Sequence, residues 1–135
     1  MSVRRIWKKL VGVEEVVVED GDFDEVLGGV VIAVRPSRRA SCRCPSCQRR
    51  CPVYDQGVGR RRWRGLDLGT TRVYLEAPGV RVRCPDHGVL VASVPWARPG
   101  SVFTSAFEDQ AAWLAVHTSR TAVSALMRVA WRTVT

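Results

Sequence analysis

Two short stretches, Cys44-Pro45-Ser46-Cys47 and Cys84-Pro85-Asp86-His87, constrain this chain more than any other feature. Each places two metal-ligating side chains either side of a two-residue gap. That gap lets both side chains reach one ion while backbone N–H groups point at the sulfurs. The proline after each first cysteine presets the turn. Gly88 follows His87 where such a knuckle favours a positive φ, and Gln48 holds the equivalent place in the first pair. Two such pairs supply the four ligands of a tetrahedral zinc. The thirty-six residues between them would then be closed into one β-rich, metal-stapled loop, as in a zinc ribbon.

The chain has five cysteines, two more than a site of three thiolates and His87 has room for. Cys51 follows Cys47 at a less regular x3 spacing, and Cys42 is too close to Cys44 to form a knuckle with it. Both are therefore left out of the expected ligand set. A redox CxxC of thioredoxin type needs a βαβ context, which is absent from the pattern. A catalytic zinc keeps an open position and a nearby general base. Here four protein ligands fill the shell, no HExxH motif occurs, and the only other histidine, His117, falls in a helical segment. The expected zinc is structural.

The 135 residues suit one compact domain or two small ones, and no apolar run approaches a membrane span. Glu14 and Glu15 interrupt the N-terminal apolar run before a signal sequence can form, so a cytoplasmic, reducing location is expected. The net charge is +8. It is sorted along the chain. Residues 14–25 hold seven acids and no base, whereas residues 38–64 hold nine arginines against one acid, Asp55. Arginine grips phosphates with a bidentate fork, so the block around the cysteines suggests nucleic acid. The expected phosphate contacts are Arg60, Arg61, Arg62 and Arg64, supported by Arg38, Arg39, Arg49 and Arg50.

The hydropathy pattern predicts an α+β fold, with a small zinc-ribbon-like β module followed by a helical segment. Residues 3–11 read as an amphipathic helix. Residues 13–19 and 25–36 read as a hairpin turning at 20–22. Strands are expected at 60–69, 70–77, 80–84 and 88–94. Domain boundaries follow: helix and hairpin over 1–41, ribbon over 42–94, a Pro/Gly-rich linker over 95–102 and helices over 103–135. Ser105 and Glu108 have capping-box spacing. Phe107, Ala111 and Leu114 then recur on one helical face, widened by Trp113 and Ala115, and Thr118 or Ser119 caps a second helix beginning near Thr121.

Five blocks in this order resemble the N-terminal part of the ISL-three family of bacterial insertion-sequence transposases. They are CPSCQRRCPVYD, RRWRGLDLGTTRVYLEA, VRVRCPDHGV, VPWARPGSVFTSAFED and AVSALMRVAWRTV. The resemblance implies zinc on Cys44, Cys47, Cys84 and His87. It also implies a helix-turn-helix formed by residues 121–127, a turn at 128–130 and a recognition helix starting at Trp131, with Arg132 and Thr133 beside it for base readout. Arg128 stands where many such turns carry glycine. Members of the family continue into a catalytic domain, so a chain stopping at Thr135 is expected to be a truncated, non-enzymatic fragment. Its partners would be DNA at transposon ends, another copy of itself, or full-length transposase. The rival expectation is a protein-interaction ribbon using exposed Trp96, Trp113 and Trp131.

Overall fold

A computed structural model describes residues 3–130. The fold is α+β: one N-terminal helix, then the strands with the cysteine cluster, then two helices. The N-terminal helix α1 (Val3–Val11) leads into the hairpin β1 (Val16–Asp24) and β2 (Gly29–Pro36). Then come β3 (Val53–Asp55), β4 (Arg60–Arg64), β5 (Arg72–Pro78), β6 (Arg81–Cys84) and β7 (Gly88–Val91). Helices α2 (Ser105–His117) and α3 (Arg120–Met127) complete the described elements. The strands form a four-stranded sheet in the order β1-β2-β5-β4 and a three-stranded sheet in the order β3-β6-β7. All pairings are antiparallel except β2 with β5.

Alternation decides which face of the larger sheet is buried. Val16 and Val18 of β1, Ile32 and Val34 of β2, Leu75 and Ala77 of β5, and Trp63 of β4 share one core. Trp7 and Val11 of α1 pack over it. The expected turn at residues 20–22 is not there: β1 continues through Asp24, and the chain reverses over residues 25–28. A register shift between Val18 and Asp20 lets the strand persist. Gly21 has a different use. A Cβ there would lie 2.7 Å from the indole Nε1 of Trp7, so the missing side chain makes room for helix α1. The actual reversal is closed by Gly28, with φ +72°, donating to the Asp24 carbonyl at 2.8 Å.

Trp96 is only 1% exposed and meets Trp63 edge-on, with ring centroids 5.3 Å apart. It is a core residue, and the expectation that it is exposed is wrong. Burying two large rings against each other outweighs any interface use. In α2, Thr104 is the N-cap, its Oγ1 accepting the Phe107 N–H at 3.2 Å. The expected Ser105/Glu108 box does not form, because Glu108 is drawn to Arg98 at 2.9 Å. Ser119 caps α3 and accepts from Ala122 N–H at 3.1 Å. Phe107, Val123 and Met127 form the helical core, with Ala111 and Leu114 against it. Trp113 does not widen that face; it is 59% exposed and stacks on His117.

Candidate metal centre and nucleic-acid interface

The first knuckle is a tight hairpin. Arg43 and Arg50 bridge antiparallel, Cys44 N–H donates to the Arg49 carbonyl at 2.9 Å, and Gln48 N–H donates to the Cys44 carbonyl at 2.8 Å. Gln48 adopts the left-handed conformation, φ +62°, that the turn demands, as Gly88 does in the second knuckle with φ +79°. The second knuckle joins β6 to β7, so Cys84 is fixed by a strand end. Arg49 and Asp86 link the two knuckles by an ion pair at 3.3 Å.

The donor atoms of Cys44, Cys47, Cys84 and His87 all lie within 4.8 Å of one another. Cys47 Sγ is 3.8 Å from Cys84 Sγ, and His87 Nδ1 is 3.7 Å from Cys44 Sγ and 3.4 Å from Cys84 Sγ. Zinc bonds of about 2.3 Å to sulfur and about 2.0 Å to nitrogen give tetrahedral edges of roughly 3.8 Å and 3.5 Å. The spacing therefore matches ligands arranged around one ion and is far too long for a disulfide. Cys44 and Cys84 are buried, while Cys47 and His87 sit at the surface. A hydrogen bond with His87 holds the Cys84 thiol down at about 6, against the opposing effect of burial.

The two remaining cysteines lie around this cluster. Cys51 is buried against Cys44 and Cys84, with Sγ 3.3 Å from the Arg49 carbonyl. Burial, followed by its hydrogen bond with Cys84, pushes the Cys51 thiol up. Cys42 packs at the edge and its carbonyl accepts Cys51 N–H at 2.9 Å. Neither is in the converging set.

The arginines expected to contact phosphate fall into three groups. Arg60 and Arg62 both grip Glu76 of the neighbouring strand, at 2.7 and 2.9 Å, and Arg49 is the one paired with Asp86. Their hydrogen bonds, that from Arg62 foremost, hold the Glu76 carboxyl below its ordinary value. Arg64 is directed inward. Its side chain is 12% exposed, it donates to the Met127 and Arg128 carbonyls at 3.0 and 3.1 Å, and it pairs with Asp67 at 3.3 Å. Arg38, Arg39, Arg50 and Arg61 have no carboxylate partner among the described residues; Arg61 instead lies 4.7 Å from the Trp63 ring centroid. Sequence reasoning passed over Arg43, Arg72 and Arg83, which also lack a carboxylate there. No sequence signal separates paired from unpaired arginines, because the deciding acids sit on other strands.

The turn after α3 is braced by the sheet. Arg128 has φ +57°, the conformation glycine usually supplies at a helix C-terminus. It is held there by its N–H bond to the Ser124 carbonyl and by side-chain bonds to Asp67 and the Thr70 carbonyl at 3.0 and 2.7 Å. Asp67 thus joins Arg64 and Arg128. Trp131, Arg132 and Thr133 lie outside the described residues.

Residues 40–87 match the zinc-finger of transposase IS204/IS1001/IS1096/IS1165, and residues 92–135 match the helix-turn-helix domain of transposase family ISL3. The chain is also 49% identical, over 135 aligned residues, to the transposase for insertion sequence element IS1557 of Mycobacterium tuberculosis, in strains CDC 1551 / Oshkosh and ATCC 25618 / H37Rv. The alignment takes in 96% of this chain and 30% of each relative. No solved structure matches. No helix among the described residues is long and apolar enough to cross a membrane. With the two matches falling in the order its strands and helices follow, the chain carries the N-terminal zinc-ribbon and helix-turn-helix region of ISL3-family transposases.

Proposed function

We propose that this chain is a zinc-stabilised DNA-binding region whose target in the parent protein is the ends of an insertion sequence. The observation that carries this reading is the placement of uncompensated arginines around a closed four-ligand cluster, ahead of a helix-turn-helix. Cys44, Cys47, Cys84 and His87 would hold Zn²⁺. The ion would supply cross-linking of two knuckles in a module whose own core is small. Arg38, Arg39, Arg50 and Arg61 would neutralise phosphates directly. Arg49, Arg60 and Arg62 would do so by leaving their carboxylates. Base readout would come from Trp131, Arg132 and Thr133. Arg64 acts within the protein as a strut.

DNA strand cleavage and joining are not assigned to this chain. Two-metal strand transfer needs several converging carboxylates. Asp67 and Glu76, the least exposed acids in ion pairs, are each engaged by two arginines.

The test is titration of labelled duplexes, one carrying a transposon end and one of scrambled sequence, at several salt concentrations. Replacing Arg38, Arg39, Arg50 and Arg61 by Ala should flatten the slope of log K against log salt by up to roughly 3.6. A slope near zero for the unmodified chain refutes the reading. A second reading, a protein-interaction module that self-associates or pairs with full-length transposase, is favoured by exposed Trp113, Val116 and Leu126. It predicts association that changes little with salt.

A further inference from the structure

The three-stranded sheet has an outer face that neither the metal cluster nor the helices use. Val82 and Cys84 of β6 are buried in the cluster side. Side chains alternate along a strand, so Arg81 and Arg83 point the other way. The antiparallel register sets exposed Val91 opposite Arg81 and exposed Val89 opposite Arg83. On the opposite flank stands Tyr54 of β3, 47% exposed. The guanidinium carbons of Arg81 and Arg83 lie 5.2 and 5.0 Å from its ring centroid.

The two cations have different status. Arg81 is tied to Asp55 through Nε–H to Oδ1 at 2.9 Å and a second bond from Nη2 to Oδ2, and Asp55 also accepts Gly57 N–H at 2.9 Å. That fixed pair steadies the ring from the β6 side. Arg83 has no carboxylate partner among the described residues and is exposed. One half-exposed aromatic ring with two guanidiniums against it, one of them without a carboxylate, and a flank of valines therefore share one surface.

Each part suits a component of an unpaired nucleotide. A base needs a π-surface, its phosphate needs a cation, and its sugar tolerates an aliphatic floor. A duplex conceals its base faces and would leave Tyr54 unused. We propose that this face binds single-stranded DNA, stacking an unpaired base on Tyr54 and holding the adjacent phosphate with Arg83. The proposal rests on the reading that the chain contacts DNA and specifies an additional, strand-separated ligand for it.

The test uses the full zinc-loaded chain, a labelled oligothymidylate and a duplex of equal length, titrated in parallel at several salt concentrations. Tyr54→Ala should weaken single-strand binding roughly 5- to 150-fold and leave duplex binding within about twofold. Tyr54→Phe should retain single-strand binding, because the ring and not the hydroxyl does the stacking. Arg83→Gln should lower the single-strand salt slope by about 0.7. Photo-crosslinking of the unmodified chain to an iododeoxyuridine oligonucleotide should place the adduct on Tyr54, independently of whether any variant folds. Adducts confined to other residues overturn the proposal. So does a Tyr54→Ala variant that loses single-strand and duplex binding equally, or a polyaspartate peptide whose binding shows the same Tyr54 dependence. Salt-sensitive duplex binding with no Tyr54 effect sinks this proposal alone; absence of both duplex and single-strand binding sinks it together with the DNA-binding reading.

Discussion

Replacing Arg64 by Met isolates the strut between sheet and helical turn. Methionine keeps the apolar stem over Phe107, where the guanidinium sits 5.3 Å from the ring centroid, and removes every donor. Two bonds from a charged donor to carbonyls disappear, to Met127 at 3.0 Å and Arg128 at 3.1 Å. Charge-assisted bonds contribute about 1.5–3 kcal/mol each. The carbonyls can partly rehydrate because the turn is half-exposed, so the lower end applies. Asp67 retains Arg128 at 3.0 Å, so no uncompensated carboxylate is left and the full penalty of breaking a buried pair is avoided. The expected cost is about 2–3 kcal/mol, more than the roughly 0.5 kcal/mol typical of a surface change. Urea denaturation gives the total, and hydrogen exchange of peptides spanning residues 120–130 should show where it falls. Asp67→Asn should cost about 2 kcal/mol, since it leaves two cations facing each other. The double variant should cost less than the sum. A loss below about 0.5 kcal/mol for Arg64→Met, with unchanged protection at residues 123–129, would refute the idea that the sheet holds the turn.

Elemental analysis should find one zinc per chain, retained in Cys42→Ser and Cys51→Ser and lost in Cys84→Ser; the opposite pattern for Cys51 and Cys84 would overturn the ligand set. Acid should release that metal. Protons compete with zinc for the three thiolates and the imidazole, so release as pH falls is readable by a zinc-sensitive dye. In the metal-free chain the Cys84 thiol, lowered to about 6 by its hydrogen bond with His87, contributes stability that is present above pH 9.0 and lost as pH falls through about 6. Gln48→Gly should raise the unfolding free energy from urea denaturation by about 0.5–1 kcal/mol, because φ +62° strains any residue with a Cβ; a fall in stability would show that the Gln48 side chain matters more than its backbone. Glu76→Gln removes the carboxylate that Arg60 and Arg62 must leave and should tighten duplex binding, whereas unchanged affinity would mean that those two arginines do not reach phosphate.

The knuckles were legible because their chemistry is local. Two-residue gaps, prolines and Gly88 act within a few positions, and Cys44, Cys47, Cys84 and His87 converge as their spacing suggested. The helix at residues 3–11 and the break before α3 were readable for the same reason. What failed depended on distant partners. Asp20-Gly21-Asp22 looks like a turn until Trp7 is seen against Gly21. Trp96 looks like an interface residue until Trp63 is found beside it. The arginine block is real in sequence, but Glu76 and Asp67 divide it into cations that face solvent and cations that serve the protein. The parallel β2–β5 pairing had no local signal at all.

That parallel pair also has a kinetic consequence. Between Pro36 and Arg72 the chain wanders through residues 37–71, about 35 positions, before β5 can find β2. A metal joining Cys44 to Cys84 offers a shorter path, out along residues 37–44 and back along 79–84, about 14 positions. Loop closure scales as about (3/2)RT ln n, so the shortcut removes roughly 0.8 kcal/mol from the search, close to a fourfold gain in rate. Early zinc capture would thus act as a folding catalyst for a sheet that contains none of the ligands except through its neighbours.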